Sequence, residues 1–250
     1  MPDSSNTFDE AYAAVADVDG WMTEGQARHL WDGARGLGAG ATVVEIGSYR
    51  GRSAIVLASA APEGVEVVAI DPHAGNDRGP QQIEAEPDEG QNDHEIFVAN
   101  LVAAGVDERI RHVRKPAADA LGDVDGQVEL LYIDGAHRYG PARDDIRDWG
   151  ARVADDGMML IHDSFSSIGV TLALLRLLFG SSRFRYLGRS SSMAIYRREP
   201  LDPSDRLANA GRQALELPWF VRNVIMKVLI LAGLGRFTRY LGHSQGTWPY

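Results

Sequence analysis

The sequence predicts an α/β fold: a doubly wound, Rossmann-like and mainly parallel sheet with helices on both faces, followed by a C-terminal helical extension. From Thr42 onward, short apolar runs alternate with helical stretches, which is the rhythm of strand–helix–strand units. Runs such as Met158-Met159-Leu160-Ile161 are apolar on both faces, as buried parallel strands are. A chain of 250 residues also suffices for one such core.

The individual elements follow from the periodicity along the chain. A first helix is predicted after Thr23, whose side chain can cap it, and it ends in the glycine-rich stretch 36–40. Strands are predicted over 43–46, 65–70, 110–113, 128–133 and 158–161, with a late edge strand over 192–196. Helices are predicted over 53–61, 95–104 and 142–153. Residues 73–93, polar and rich in Gly and Pro, predict a long loop that covers a site.

Composition limits the function classes. The net charge of -10 and the pI near 5.1 argue against nucleic acid as a partner, because phosphate binding needs a basic surface. With no cysteine in the chain, histidines and carboxylates must carry any metal or proton chemistry. The acidic N-terminus lacks the basic and apolar regions of a secretory signal, so we expect a cytoplasmic protein.

The tail, residues 201–250, is expected to be helical and to lie outside the main domain. Its longest apolar run, 228–232, is too short to span a bilayer, which predicts no transmembrane segment. The amphipathic pattern favours a helix at a homodimer interface. Closure over the substrate site and contact with a membrane surface are the alternatives.

A glycine-containing turn follows the first predicted strand and marks a nucleotide-type site. The pattern is Glu45-x-Gly47-x-x-x-Gly51, running directly into a helix. In a dinucleotide-binding dehydrogenase, which is the alternative, a glycine would replace Glu45 and a pyrophosphate would lie nearby. A carboxylate beside phosphates is unfavourable, whereas it suits S-adenosylmethionine (SAM), which carries an ammonium and a sulfonium and no phosphate.

Asp71 ends the second predicted strand and is the expected partner of a ribose. It lies about 20 residues after the glycine turn, where an acidic side chain accepts hydrogen bonds from ribose hydroxyls. Asp71 precedes a proline, so a turn or helix-cap role is the alternative.

These motifs resemble class I SAM-dependent methyltransferases. The similarity extends over roughly residues 20–198 and rests on residues 44–53, Ile70-Asp71, residues 132–137 and Ile161-His162-Asp163. Within that superfamily the chain looks most similar to small-molecule O-methyltransferases that use a divalent cation, including catechol-type enzymes and enzymes that methylate sugars of macrolides and polysaccharides. The resemblance implies an N-terminal helical segment over 1–40, a SAM-binding methyltransferase domain over 41–200 and a helical extension over 201–250. The expected cofactor contacts are Glu45, Gly47, Ser48, Gly51, Ser53, Asp71, Ala117 and Asp134.

A second group of polar residues is expected at the same edge of the sheet. Asp134 and Asp163 each follow an apolar strand, and with Ser164 and water they offer the oxygen ligands that Mg²⁺ or another divalent cation prefers. The resemblance implies an aspartate at each of these strand ends and a neutral amide beside them. Ser164 replaces that amide, which leaves the third ligand open.

His137 is the predicted catalytic base. It occupies the position at which the catechol-type enzymes have a basic lysine, and an imidazole of near-neutral pKa can accept a hydroxyl proton. The alternatives are that His137 only begins a surface helix and that Asp163 only caps one. His162 is expected to bond a backbone group or to act as a ligand, and not as the base.

The predicted function is therefore metal-assisted transfer of a methyl group from SAM to a hydroxyl of a saccharide or a glycosylated metabolite. The acid-rich loop favours a hydroxylated acceptor over a flat apolar one. Trp21 offers a ring to a sugar, although packing of the first helix is its more common role. A metal-independent methyltransferase, a dehydrogenase and a non-catalytic ligand-binding protein are the alternatives.

Overall fold

One seven-stranded sheet organises the computed structural model, which describes residues 7–76 and 82–243. The strands are β1 Thr42–Ile46, β2 Glu66–Ile70, β3 Ile110–Val113, β4 Val128–Ile133, β5 Val153–Ile161, β6 Phe184–Ser190 and β7 Met193–Arg198. Their order is β3-β2-β1-β4-β5-β7-β6, and neighbours among β1 to β5 are parallel while β7 is antiparallel to both β5 and β6. The predicted fold class is confirmed.

Helices cover both faces of this sheet. They are α1 Phe8–Ala14, α2 Glu24–Arg35, α3 Arg52–Ala60, α4 Pro87–Ala103, α5 Tyr139–Asp148, α6 Ile168–Leu177, α7 Pro203–Ala214 and α8 Leu217–Leu231, and a last helical turn runs from Gly235 to Leu241. One face buries Leu30, Ile55 and Phe97. The other face buries Trp149 and Leu174. The predicted cap is confirmed, since the Thr23 hydroxyl accepts a hydrogen bond from the Gln26 N–H at 3.3 Å.

The strand register aligns the ends that matter for the site. Ile46 lies beside Ile70 of β2 and Ile133 of β4, and Ile133 lies beside Ile161 of β5. The residues that follow these four positions therefore emerge together at the carboxyl edge of the sheet, where open α/β sheets bind ligands.

Two predicted boundaries are wrong. Helix α4 begins at Pro87 and not near Glu95, because proline suits a first helical turn and Gly90 fits closely against the preceding loop. A Cβ on Gly90 would lie 2.0 Å from the His73 carbonyl oxygen. The predicted loop is thus shorter than 73–93, and its residues 77–81 lie outside the described residues. Helix α5 ends at Asp148, and Val153 already begins β5.

The late strand is also placed differently from the prediction. Strand β7 lies between β5 and β6, so β6 forms the edge of the sheet. The arginines of β6 gave it no apolar signature. Helix α7 covers this edge: the Asn209 side chain accepts from the Tyr186 N–H at 2.7 Å and donates to the Phe184 carbonyl at 3.0 Å.

The tail is helical as predicted, from α7 through Leu241, and residues 244–250 lie outside the described residues. Within the described part of the chain, no helix has the length and apolarity needed to cross a membrane.

Candidate active site

The turn after β1 brings the backbone of two strands into close contact. Gly47 has φ +87°, and a Cβ on it would lie 2.2 Å from the Asp134 carbonyl oxygen, so only glycine fits. The Gly47 N–H donates to the Ile70 carbonyl at 2.9 Å, and the Asp134 N–H donates to the Ile46 carbonyl at 2.8 Å. Gly51, with φ +90°, then begins α3. The glycines thus hold the ends of β1 and β4 and the start of α3 close together at this turn.

Glu45 is a buried acid without a counter-ion. Its side chain is fully buried, and neither carboxylate oxygen has a hydrogen-bond partner among the described residues. Burial raises its pKa to about 7, and the charges of Asp134 and Asp71 act in the same direction. The Ser53 and Ser48 hydroxyls oppose this shift but close no hydrogen bond of ordinary geometry with it. Such a carboxylate has unused capacity for a cationic group.

Asp71 is held in place by backbone donors. Its Oδ2 accepts from the Tyr49 N–H at 2.8 Å, and its Oδ1 accepts from the His73 N–H at 2.7 Å. These bonds fix the carboxylate at the edge of the sheet beside the glycine turn. Each oxygen keeps a second lone pair, which is what two ribose hydroxyls require.

The other predicted cofactor residues differ in how closely they join this group. Ser48 and Ser53 are buried next to Glu45, and the Ser48 hydroxyl has no hydrogen-bond partner in the described structure. Ala117 is half-buried on the segment after β3, where its carbonyl accepts from the Trp149 Nε1–H at 3.0 Å. The role of each in binding stays a prediction.

Two carboxylates and two imidazoles form a cluster beyond β4 and β5. His137 Nε2 lies 3.0 Å from Asp163 Oδ2 and 3.9 Å from Asp134 Oδ1. His162 Nδ1 lies 3.0 Å from the same Asp134 oxygen, and the Tyr132 hydroxyl donates to Asp134 Oδ2 at 3.0 Å. The structure thus brings His137, Asp134 and Asp163 together as predicted, and adds His162 and Tyr132.

The charges in this cluster stabilise each other. Burial alone would lower the pKa of His137, but attraction to Asp163 and Asp134 outweighs it and raises that pKa to about 10. The same attraction holds the pKa values of Asp134 and Asp163 below their usual range, although burial opposes it. The expected near-neutral pKa of His137 is therefore not what the surroundings produce, because the two carboxylates favour the imidazolium form.

The predicted magnesium ligands do not fit a metal site. The Ser164 side chain is fully buried, and its hydroxyl donates to the Ile161 carbonyl at 2.8 Å. Asp134 and Asp163 face imidazoles at ion-pair distance, so the positive charge that they need is already supplied. The described residues also contain no group of three or more His, Asp or Glu side chains that could hold a metal ion.

Backbone strain is concentrated around the site. Tyr49, His73, Asp163 and Phe165 all have positive φ, between 46° and 56°. For residues other than glycine this conformation is costly and persists only where the surroundings impose it. This backbone conformation directs the Tyr49 and His73 N–H groups towards Asp71. At Asp163 it sets the position of the carboxylate.

Sequence reasoning gave too little weight to several residues of the site. His162 stands directly before Asp163, which is the signal that could have placed it in the cluster. Trp21 does not serve packing as expected: it is 46% exposed, and its ring lies 5.6 Å from that of Tyr49. No motif in the sequence predicts that contact.

Comparison with known proteins shows which family profile and which solved structures this chain resembles. Residues 44–164, just under half of the chain, match the profile of a family described as a methyltransferase domain. The O-methyltransferase TomG from Streptomyces achromogenes, involved in tomaymycin synthesis and solved with SAM, is 17% identical with a TM-score of 0.56, over 81% of this chain and 91% of that chain.

Two further structures have the same fold. An O-methyltransferase from Bacillus cereus, solved with S-adenosylhomocysteine (SAH), is 16% identical with a TM-score of 0.56, over 77% of this chain and 90% of its own. PaMTH1, a methyltransferase from Podospora anserina solved with SAH, is 18% identical with a TM-score of 0.56, over 79% and 88%. Residues 44–164 therefore resemble a methyltransferase domain, and the chain has the Rossmann-like fold of these solved methyltransferases.

Replacing Gly47 tests the close approach of the two strand ends. In Gly47→Ala the new methyl group collides with the Asp134 carbonyl, so we expect unfolding free energy to fall by more than about 1 kcal/mol and SAH binding to be lost. Gly38→Ala is the control, since a Cβ there meets nothing within 4 Å. Urea denaturation and calorimetry measure both effects, and equal stability of the two variants would contradict this geometry.

Glu45 makes stability depend on pH in a defined direction. Because its folded pKa of about 7 exceeds the ordinary 4.5, the folded state holds an extra proton between these values, and stability falls as pH rises through them. Glu45→Gln removes that loss, so the variant should be more stable than the wild type at pH 8, by up to about 3 kcal/mol, and closer to it at pH 5. Glu63→Gln, at an exposed site, should show no such trend. A pH-independent difference for Glu45→Gln would refute the assignment.

Proposed function

We propose that the protein is a SAM-dependent O-methyltransferase that methylates a hydroxyl group of a small molecule. The observation that carries this proposal is the position of one imidazole–carboxylate cluster at the same sheet edge as a buried, uncompensated carboxylate. When bound, SAM supplies a methyl group on a positively charged sulfur. The cofactor-binding half and the proton-accepting half of such a site are both present among the chain's own residues.

The cofactor-binding half fits a cationic nucleoside. Glu45 has the unused capacity that an ammonium group would fill, and within residues 7–76 and 82–243 no side chain forms a hydrogen bond with its carboxylate. Gly47 lets the end of β1 lie against the Asp134 carbonyl, which brings the two strand ends together, and Asp71 offers both oxygens to a ribose. A dinucleotide would bring phosphates towards Glu45, which disfavours the dehydrogenase alternative.

His137 accepts the hydroxyl proton in this proposal. The methyl group would pass from the sulfur of SAM to the acceptor oxygen, and the proton of that oxygen would pass to Nδ1 of a neutral His137, while Nε2–H, 3.0 Å from Asp163 Oδ2, pairs the resulting imidazolium with that carboxylate. His137 must therefore be neutral before the transfer. The positive charge of SAM near the carboxylates would lower the His137 pKa and favour that neutral form.

No step of this proposal passes through a metal ion. The hydrogen bond of Ser164 and the pairing of both aspartates with imidazoles favour metal-independent transfer among the two methyltransferase alternatives. Asp163 does not act as the cap of α6, since Ser167 occupies that position. Its carboxylate serves His137 instead.

The acceptor class rests on the surroundings of the cofactor turn. Trp21 presents an exposed ring beside Tyr49, and rings of this kind stack on the faces of sugars. The exposed segment 83–89 is rich in carboxylates, which accept hydrogen bonds from hydroxyls. We therefore propose a saccharide or a glycosylated metabolite as acceptor, with the domain limits 41–200 and the cytoplasmic location as predicted from the sequence.

Turnover and cofactor binding together test the proposal. The wild type should bind SAH in calorimetry, should not bind NAD, and should transfer a labelled methyl group to hydroxylated acceptors from a saccharide panel. His137→Ala should lower turnover by a factor of at least about 100 while SAH affinity persists, and the exposed His29→Ala is the control. Binding of NAD without SAH would overturn the cofactor, and equal loss of SAH binding in His137→Ala would displace the residue from the proposed role.

The pH dependence of turnover tests Asp163 separately. Activity should rise with pH, because the His137 imidazolium must lose its proton before it can accept another. In Asp163→Asn the stabilising charge is gone and the His137 pKa falls, so the acid limb of the pH–rate profile should move to lower pH. Thr171→Val, a neutral change at a buried site on α6, controls for loss of packing. A profile that does not move would exclude His137 as the titrating group.

A further inference from the structure

Helix α8 exposes an apolar stripe in addition to the apolar side chains that it buries. Its buried positions are Asn223 and Met226, and Trp219 and Phe220 pack against the core, whereas Val221, Ile225 and Val228 face outward. A surface helix usually turns its apolar stripe to the core. We define the tail face as the exposed apolar side chains of α8 and the turns that follow it: Val221, Ile225, Val228, Leu231, Leu234, Phe237 and Tyr240.

The polar side of α8 contacts residues 162–167, the segment between β5 and α6, which we call the active-site loop. Lys227 Nζ donates to the Ser166 carbonyl at 2.9 Å, and the Asn223 side chain donates to the Phe165 carbonyl at 3.3 Å. These bonds satisfy backbone groups of the strained segment that follows Asp163. The helix cannot rotate its apolar stripe inward without breaking them, so the tail face is a fixed exposed surface.

The charge around the tail face is segregated from that of the rest of the chain. All 35 acidic residues lie before Leu217, and the segment after it contains Arg222, Lys227, Arg236 and Arg239. Arg236 and Arg239 are exposed and lie over the rings of Phe237 and Tyr240, at 4.9 Å in both cases. Within residues 7–76 and 82–243, neither guanidinium forms a salt bridge with a carboxylate.

We propose that the tail face docks on the surface of an anionic lipid bilayer. Apolar and aromatic side chains beside arginines are complementary to a surface that offers acyl chains below negative headgroups. A symmetric pair of tail faces would instead bring arginines together with no carboxylate between them, which disfavours a second copy as the occupant. Since α8 lies between lipid and loop, the active-site loop would be held about one helix diameter, roughly 10 Å, from the bilayer.

Vesicle flotation with the full-length protein tests this proposal. The protein should float with phosphatidylcholine vesicles that contain phosphatidylglycerol and should not float with phosphatidylcholine alone. Binding should weaken when salt is raised from about 0.1 M to about 1 M, as the Debye length falls from about 10 Å to about 3 Å. Equal binding to both vesicle types, or binding to neither, would overturn the proposal.

Matched variants locate the surface. Val228→Asp should abolish flotation, whereas Val102→Asp on α4 should not, since the two valines are 59% and 57% exposed. Arg236→Gln/Arg239→Gln should lower the partition coefficient by a factor of about 10 or more, and Arg176→Gln/Arg183→Gln, with the same net charge, should leave it unchanged. Circular dichroism melts check that each variant folds.

The competing occupant gives a distinct result. If sedimentation equilibrium shows a dimer that Val228→Asp dissociates, and vesicles bind neither protein, the tail face belongs to a second copy and lipid docking is wrong. Equal flotation of Val228→Asp and Val102→Asp would also refute it. Neither result affects SAH binding, so this test is independent of the proposed function.

Discussion

The close approach of the ends of β1 and β4 is the constraint on which the site depends. Gly47 lies against the Asp134 carbonyl, and the hydrogen bonds from Gly47 to Ile70 and from Asp134 to Ile46 continue the sheet past the last strand residues. A side chain at position 47 would separate these strand ends. Their contact is what brings Glu45, Asp71 and Asp134 close enough for their charges to interact, although the three belong to different strands.

Electrostatics divides that space into two unlike halves. Beside β1, Glu45 is buried without a counter-ion and is easily protonated, so it gains most from a cation that arrives with a ligand. Beyond β5, the charge of Asp163 is already compensated by His137. Buried carboxylates are tolerated only when paired or neutralised, and each half uses one of these solutions. In the proposed function, this difference between the halves would orient a cationic ligand with its positive charge towards Glu45.

The sequence predicted the sheet and the positions of the polar residues, but not how those residues are partnered. Buried parallel strands are apolar on both faces, and an acid after each strand must emerge at one edge, so Asp71, Asp134 and Asp163 were predictable. The pairing of Asp163 with His137 was not predictable, because the sequence alone does not distinguish Mg²⁺ from an imidazolium as the partner of a carboxylate. The sequence does not predict strand β6, because its arginines hide the apolar pattern of an edge strand that α7 covers. It also does not predict the first two turns of α4, because glycine usually interrupts a helix, whereas Gly90 is needed for a close backbone contact.

The tail illustrates how a site can determine the surface around it. The loop after Asp163 has positive φ at two residues and leaves carbonyls that need donors, and α8 supplies them through Lys227 and Asn223. Burial lowers the pKa of Lys227, while Asp163 acts in the opposite direction, so the ammonium is costly to bury and is retained for the loop. Because Asn223 and Lys227 face inward beside Met226, several of the apolar positions of α8 face outward, among them Val221, Ile225 and Val228. Part of the exposed apolar stripe thus follows from the contacts that α8 makes with the segment after Asp163, and the lack of acidic residues after Leu217 is what gives the proposed lipid surface its complementary charge.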